Sequence, residues 1–282
     1  MDERIDLTAP AVRRLWKKAL REPTVLQSFA FDEAHQHLYV VQVRRGGAAA
    51  GNLCLNKLDL EGNRLGHMYL HGFGHGVSTG VQNAADGTVW IWTEADAEGG
   101  YGQGVTRFRF FHGAVRTGAD VKIRHSIPGS TNNQPSVCMA SGRIAVRYRT
   151  GGTPRYRVWD LDAFVARDYG RPLADLPQTG AHPDPAVPFQ GYALHGDHIY
   201  QLAGTAYDDA TNPPAEHGNT YLSCLDIRTG DLVQRQRTEA GHSLDFREPE
   251  GLAVRHKPHP RLYIGLASGA LGARRFSLYS KP

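Results

Sequence analysis

Five short runs along the chain share one pattern of polar and apolar positions: a polar residue, in most copies a small one next, then an apolar stretch. They are Gln27-Ser28-Phe29-Ala30-Phe31, His75-Gly76-Val77-Ser78-Thr79, Gln134-Pro135-Ser136-Val137-Cys138, Gln190-Gly191-Tyr192-Ala193-Leu194 and Glu250-Gly251-Leu252-Ala253-Val254. The steps between their first residues are 48, 59, 56 and 60. Self-similarity at such a period marks a propeller or a solenoid.

Each opening is followed by a turn and a second strand-like run: 37–43, 88–94, 143–149, 198–204 and 261–268. Asp86-Gly87, Ser141-Gly142 and Pro258-His259-Pro260 are among the turns, and β-branched and aromatic residues between such signals predict hairpins. Third strands are predicted at 53–60, 105–111, 156–161, 221–227 and 273–279, and weaker fourth strands at 64–70, 120–127, 171–176 and 232–237. Four short antiparallel strands repeated radially describe an all-β, five-bladed β-propeller, a single domain over residues 1–282. Matched openings and the absence of a mid-chain linker favour one ring over two β-sandwiches.

The fifth unit has only three strands, and an open edge invites aggregation. The N-terminal segment 1–22 is therefore expected to close or cap the ring, with Arg4–Leu7 completing the blade. A short N-terminal helix is predicted after it, capped by Thr8, with Pro10 in its first turn and Val12, Leu15, Trp16 and Leu20 on one face.

Composition adds boundaries. The 282 residues are 40% hydrophobic and 21% charged, which excludes a disordered chain, and no run approaches the ~20 apolar residues of a membrane span. Net charge is +4, but the basic residues are scattered without a nucleic-acid motif, so no nucleic-acid partner is expected. Met1-Asp2-Glu3-Arg4 reads as no secretory signal, giving a cytoplasmic expectation. The three cysteines, Cys54, Cys138 and Cys224, lie in apolar runs and read as buried free thiols.

The stretch Met68-Tyr69-Leu70-His71-Gly72-Phe73-Gly74-His75-Gly76 resembles the Gly-His-Gly segment of propellers grouped as teichoic acid biosynthesis protein C-like, a group with phage receptor-binding members. Phe189-Gln190-Gly191, Arg247-Glu248-Pro249-Glu250-Gly251-Leu252 and Gln27-Ser28-Phe29-Ala30-Phe31-Asp32 resemble further signatures of that group. The resemblance covers about the whole chain. It implies a five-bladed propeller, and it implies wall-polymer synthesis or glycopolymer recognition as function.

First strands line the axis of a propeller, so Gln27, His75, Gln134, Gln190 and Glu250 are expected to ring it, with Tyr192 as a further ligand-binding candidate. Glu248 and Glu250, spaced i, i+2, point the same way in an extended segment, and such a pair supplies an acid beside a base. With His75 they are the candidate acid–base groups. His67, His71 and His75 recur every four residues, but the glycines among them preclude a helix, and no Cys pair or HExxH reinforces a metal reading. No cofactor or metal is expected.

The leading expectation is a module binding a small-molecule, glycan-like or polyhydroxylated ligand in its central funnel. Its alternatives are an enzyme of cell-wall or secondary metabolism (a hydrolase, lyase or cyclase) and a protein-interaction scaffold. Oligomeric state is left open.

Overall fold

The computed structural model describes residues 4–282, so the N-terminal tetrapeptide read above lies, but for Arg4, outside the described residues. Strand β1 (Val12–Lys18) is reserved for the last blade. The first blade runs outward through β2 (Leu26–Asp32), β3 (His37–Val43), β4 (Leu53–Asp59) and β5 (Arg64–His71), and the second through β6 (Gly80–Asn83), β7 (Val89–Glu98) and β8 (Tyr101–Phe108). A short β9 (Val115–Thr117) pairs in parallel with β5, at the outer edge of the first blade. The third blade is β10 (Thr131–Cys138), β11 (Arg143–Thr150), β12 (Thr153–Asp160) and β13 (Ala174–Pro177), and the fourth is β14 (Phe189–His195), β15 (His198–Ala203), β16 (Tyr221–Asp226) and β17 (Leu232–Arg237). The fifth is β18 (Glu248–Arg255), β19 (Arg261–Ser268), β20 (Arg275–Lys281) and, outermost, β1.

The innermost strands touch in sequence, β2 to β6, β6 to β10, β10 to β14, β14 to β18 and β18 back to β2, which closes the ring. Between each pair of neighbouring blades lies one apolar cluster. Leu26, Phe29, Leu38 and Tyr263 join the fifth blade to the first, for instance, and Trp92, Ile144, Trp159 and Phe164 join the second to the third. Apolar burial, the main favourable term in folding, thus sits largely between the blades.

Three expectations need correction. The predicted N-terminal helix does not form: 12–18 is a strand antiparallel to β20, with Val12 opposite Ser280 and Lys18 opposite Phe276. Of the apolar residues in that run only Leu15 is buried; Val12 and Trp16 are 47% and 37% exposed. The unpaired edge of β20 offers backbone partners that an isolated short helix cannot match, and tertiary pairing overrides local propensity. Arg13 and Lys17 cover the Trp16 ring at 4.9 and 5.5 Å. Arg4–Leu7, expected as the closing strand, instead straps blades four and five: Ile5 donates to Tyr200 Oη at 2.8 Å, and the Leu7 carbonyl accepts from Lys281 Nζ at 2.9 Å.

The second blade also lacks its expected fourth strand at 120–127. A 3-10 turn at Gly118–Asp120, held by the Asp120 carboxylate on Thr117, breaks the run, and only Arg124 bridges back to Val105. Among the described residues the only α-helix is α1 (Leu161–Val165), and no helix is long and apolar enough to cross a membrane.

Candidate functional site

Lateral crowding at the starts of the innermost strands explains two of the repeated glycines. A Cβ on Gly191 would meet Gly251 Cα at 2.9 Å, and one on Gly251, at φ +80°, would meet Ser28 Cα at 2.8 Å. Strand glycines mark such close approaches. The crowding brings two of the five expected polar residues together: Gln27 Nε2 donates to Glu250 Oε1 at 3.3 Å. The other three turn to partners within or beside their own blades. Gln134 accepts from Arg147 Nη1 at 2.9 Å, Gln190 donates to the Gly204 carbonyl at 3.0 Å, and His75 stacks on Tyr101 with ring centroids 5.2 Å apart. Tyr192, fully buried, donates its hydroxyl to the Gln134 carbonyl at 2.7 Å.

Burial and the neighbouring Glu248 charge hold the Glu250 carboxyl well above the usual carboxylate range, and burial also raises Glu248. The segment before them is fixed by a fully buried guanidinium: Arg247 donates to the carbonyls of Ala240 and Thr238 and to Thr220 Oγ1, each at 2.9 Å. The Gly-His-Gly segment has an anchor of its own in the buried Glu94, which accepts from the N–H groups of Gly76 at 2.5 Å and Gly102 at 2.8 Å. His67, His71 and His75 do not converge: His67 packs on His112, and His71 Nε2 lies 2.9 Å from Arg44.

Nearer the other ends of the innermost strands lies an axial cavity of about 340 Å³ to which all five blades contribute. Ala30, Val81, Val137, Leu194 and Leu252 supply apolar wall, with Glu33, Asn83, Ser136, His256 and Lys257 as polar groups around it. None of the seven residues named from the sequence as ligand-binding or acid–base candidates lines it.

Beside this cavity the structure assembles a cluster that the reading of the sequence missed. Cys138 ends β10, His195 ends β14 and His256 follows β18 directly. Cys138 Sγ lies 3.5 Å from His256 Nε2, and His195 Nδ1 lies 3.2 Å from the same nitrogen. On its other side His256 Nδ1 is 3.1 Å from Glu33 Oε1, which also accepts the His256 backbone N–H at 2.7 Å. Burial opposes ionisation of the thiol, but hydrogen bonds from His195, His256 and Ser141 outweigh it and bring the thiol down to about 5. Burial likewise opposes a charged His256, but Cys138 and Glu33 raise it to about 9.

The sequence did carry a signal for this cluster. Counted from the opening polar residue, Cys138, His195 and His256 fall four, five and six positions on in the last three copies, and Glu33 falls six on in the first. Aligning the ends of the repeats, as well as their openings, places four chemistry-bearing residues at one end of the ring.

Comparison with known proteins agrees with the architecture. The family described as phage five-bladed β-propeller receptor-binding platform domain matches residues 25–280. A protein of Bacillus subtilis (strain 168) named as major teichoic acid biosynthesis protein C is 25% identical over 99% of this chain, which spans 64% of that relative's length. Among solved structures, the tail fiber of Staphylococcus aureus phage P68 superposes with a TM-score of 0.77 at 17% identity, over 98% of this chain and 53% of its own. A GH43 β-1,3-galactosidase does so with a TM-score of 0.55 at 12% identity, over 96% of this chain and 59% of its own. At these identities the structural likeness is one of fold.

Proposed function

Because the chain belongs to the family of phage five-bladed β-propeller receptor-binding platform domains, we propose that it is a binding module for a glycan-like or polyhydroxylated ligand seated at the propeller axis. The observation that carries this reading is the axial cavity, where apolar wall from all five blades and hydrogen-bonding side chains from four of them line one space. A saccharide or polyol presents both kinds of surface: C–H faces that pack on Ala30, Phe31 and Val137, and hydroxyls that pair with Asn83, Ser136 and Glu33. Pockets that orient a ligand combine a mainly apolar lining with a few placed polar groups. Lys257, exposed at the edge, adds a positive charge suited to a phosphate-bearing polyol, the chemistry suggested by the relative named for teichoic acid biosynthesis.

Calorimetric titration with a polyol-phosphate oligomer and with neutral oligosaccharides tests the reading. Saturable binding is expected, and Asn83→Ala and Lys257→Ala are each expected to weaken it ~5- to 30-fold, the loss of one hydrogen bond to a charged or polar partner. Unchanged affinity in both variants, with melting temperatures preserved, would remove the cavity from the binding site.

A further inference from the structure

Three potential metal donors from three different blades, Cys138, His195 and His256, converge at one point in the wall of the axial cavity, in hydrogen-bonding distance of one another. Cys138 and His195 are almost fully buried, and His256 is partly buried where it meets the axial cavity. Their donor atoms all lie within 4.8 Å of one another, and among the described residues this is the only such group of three or more His, Cys, Asp or Glu side chains.

The two closest separations are compatible with one shared ion. A tetrahedral zinc ion with Zn–N of ~2.0–2.1 Å and Zn–S of ~2.3 Å holds its ligand atoms at tetrahedral edges of about 3.3–3.4 Å for N···N and about 3.5–3.6 Å for N···S. The observed values are 3.2 Å for His195 Nδ1 to His256 Nε2 and 3.5 Å for Cys138 Sγ to His256 Nε2. The second shell is also in place. Glu33 sits on His256 Nδ1 at 3.1 Å, which fixes the proton there and turns the Nε2 lone pair toward the other two donors. A ligating histidine almost always has its far nitrogen held by a carboxylate, carbonyl or water in this way.

We propose that Cys138, His195 and His256 form a three-ligand site for one zinc ion in the wall of the axial cavity, with Glu33 orienting His256. Binding needs the thiolate and both imidazoles neutral and displaces the protons the cluster holds, so affinity falls as the pH drops. Two imidazoles and a thiolate suit zinc better than the hard cations, which prefer oxygen. Three protein ligands leave a fourth position, the arrangement of zinc sites that take a water or an exogenous oxygen. The proposal does not depend on the glycan reading, because the metal is assayed alone.

The experiment strips the purified full chain with a chelator, removes the chelator, and titrates Zn²⁺ against a chromophoric competitor, with Co²⁺ as a spectroscopic stand-in. Expected are about one ion per chain and a thiolate-to-cobalt charge-transfer band, both lost in Cys138→Ser and His256→Ala. Glu33→Gln, which keeps all three donors, is expected to bind ~10- to 100-fold more weakly while retaining the band. Zinc is also expected to raise the melting temperature of the wild type and leave that of Cys138→Ser unchanged. Wild-type binding no tighter than that of Cys138→Ser, or cobalt bound without the thiolate band, overturns the proposal and leaves the cluster as a proton-sharing network.

Discussion

Glu250, a repeat position that reads as a candidate acid, also carries a prediction about stability. Its carboxyl is enclosed, with Gln27 as hydrogen-bond partner and Glu248 nearby, and both burial and the Glu248 charge favour the protonated form. A carboxyl with a folded-state pKa above its unfolded value of ~4.3 contributes stability below that unfolded value and loses it as pH rises through the folded one. Glu250→Gln removes this loss. Thermal melts of wild type and variant are therefore expected to be closest near pH 4 and to separate as pH rises to 7, the variant being the more stable. A separation that is constant with pH would show that Glu250 is ionised in the fold.

What the sequence made legible at this scale followed from residue type and repeat position. The polar openings, the glycines beside them and the buried cysteines were all readable. For the Cys138–His195–His256–Glu33 cluster the repeat ends show only that the four residues share one end of the ring; which donors meet is decided by ring closure, since the members sit on different blades. The partners of Gln134 and Gln190 were equally hidden, since they depend on which neighbouring side chain or carbonyl reaches each amide first.

Among the elements, hairpins were legible because alternation and turn residues are local. Fourth strands at 64–70 and 232–237, and in part 171–176, were legible too, but the outer edges of the second and fifth blades were not. Residues 12–18 carry apolar spacing that fits one face of a helix, yet they pair with β20, and the deciding partner lies more than 250 residues away in sequence. The two readings make opposite predictions. As a strand, only Leu15 faces the core, so Leu15→Ala is expected to destabilise by ~2–4 kcal/mol while Val12→Ser and Trp16→Ser stay within about 0.5 kcal/mol. Denaturant unfolding of the three variants checks this; comparable losses at all three positions would contradict the edge strand. The segment after β8 failed in a similar way, because the chain first pairs with the first blade as β9, and after the 3-10 turn at Gly118–Asp120 it returns to the second blade only through the Arg124–Val105 bridge.

Over the whole molecule, closure of the ring couples architecture to site. The five innermost strands approach closely enough that Gly251 has no room for a side chain, and its φ of +80° disfavours one in any case. Gly251→Val is expected to destabilise by more than ~3 kcal/mol and to abolish axial binding with it, whereas Asn83→Ala removes binding energy from an intact ring. The five blades give the frame, and differences among the copies give the chemistry: Glu33, Asn83, Ser136, His256 and Lys257 place unlike groups around one cavity. That asymmetry is what an oriented ligand requires. A crystal structure of the chain soaked with the tightest-binding oligosaccharide or polyol phosphate tests the claim most directly. Ligand density is predicted within the axial cavity, in contact with Asn83 and Lys257; density confined to the tip of the β7–β8 hairpin or to the segment 205–219 between β15 and β16, with the axis empty, would contradict axial binding.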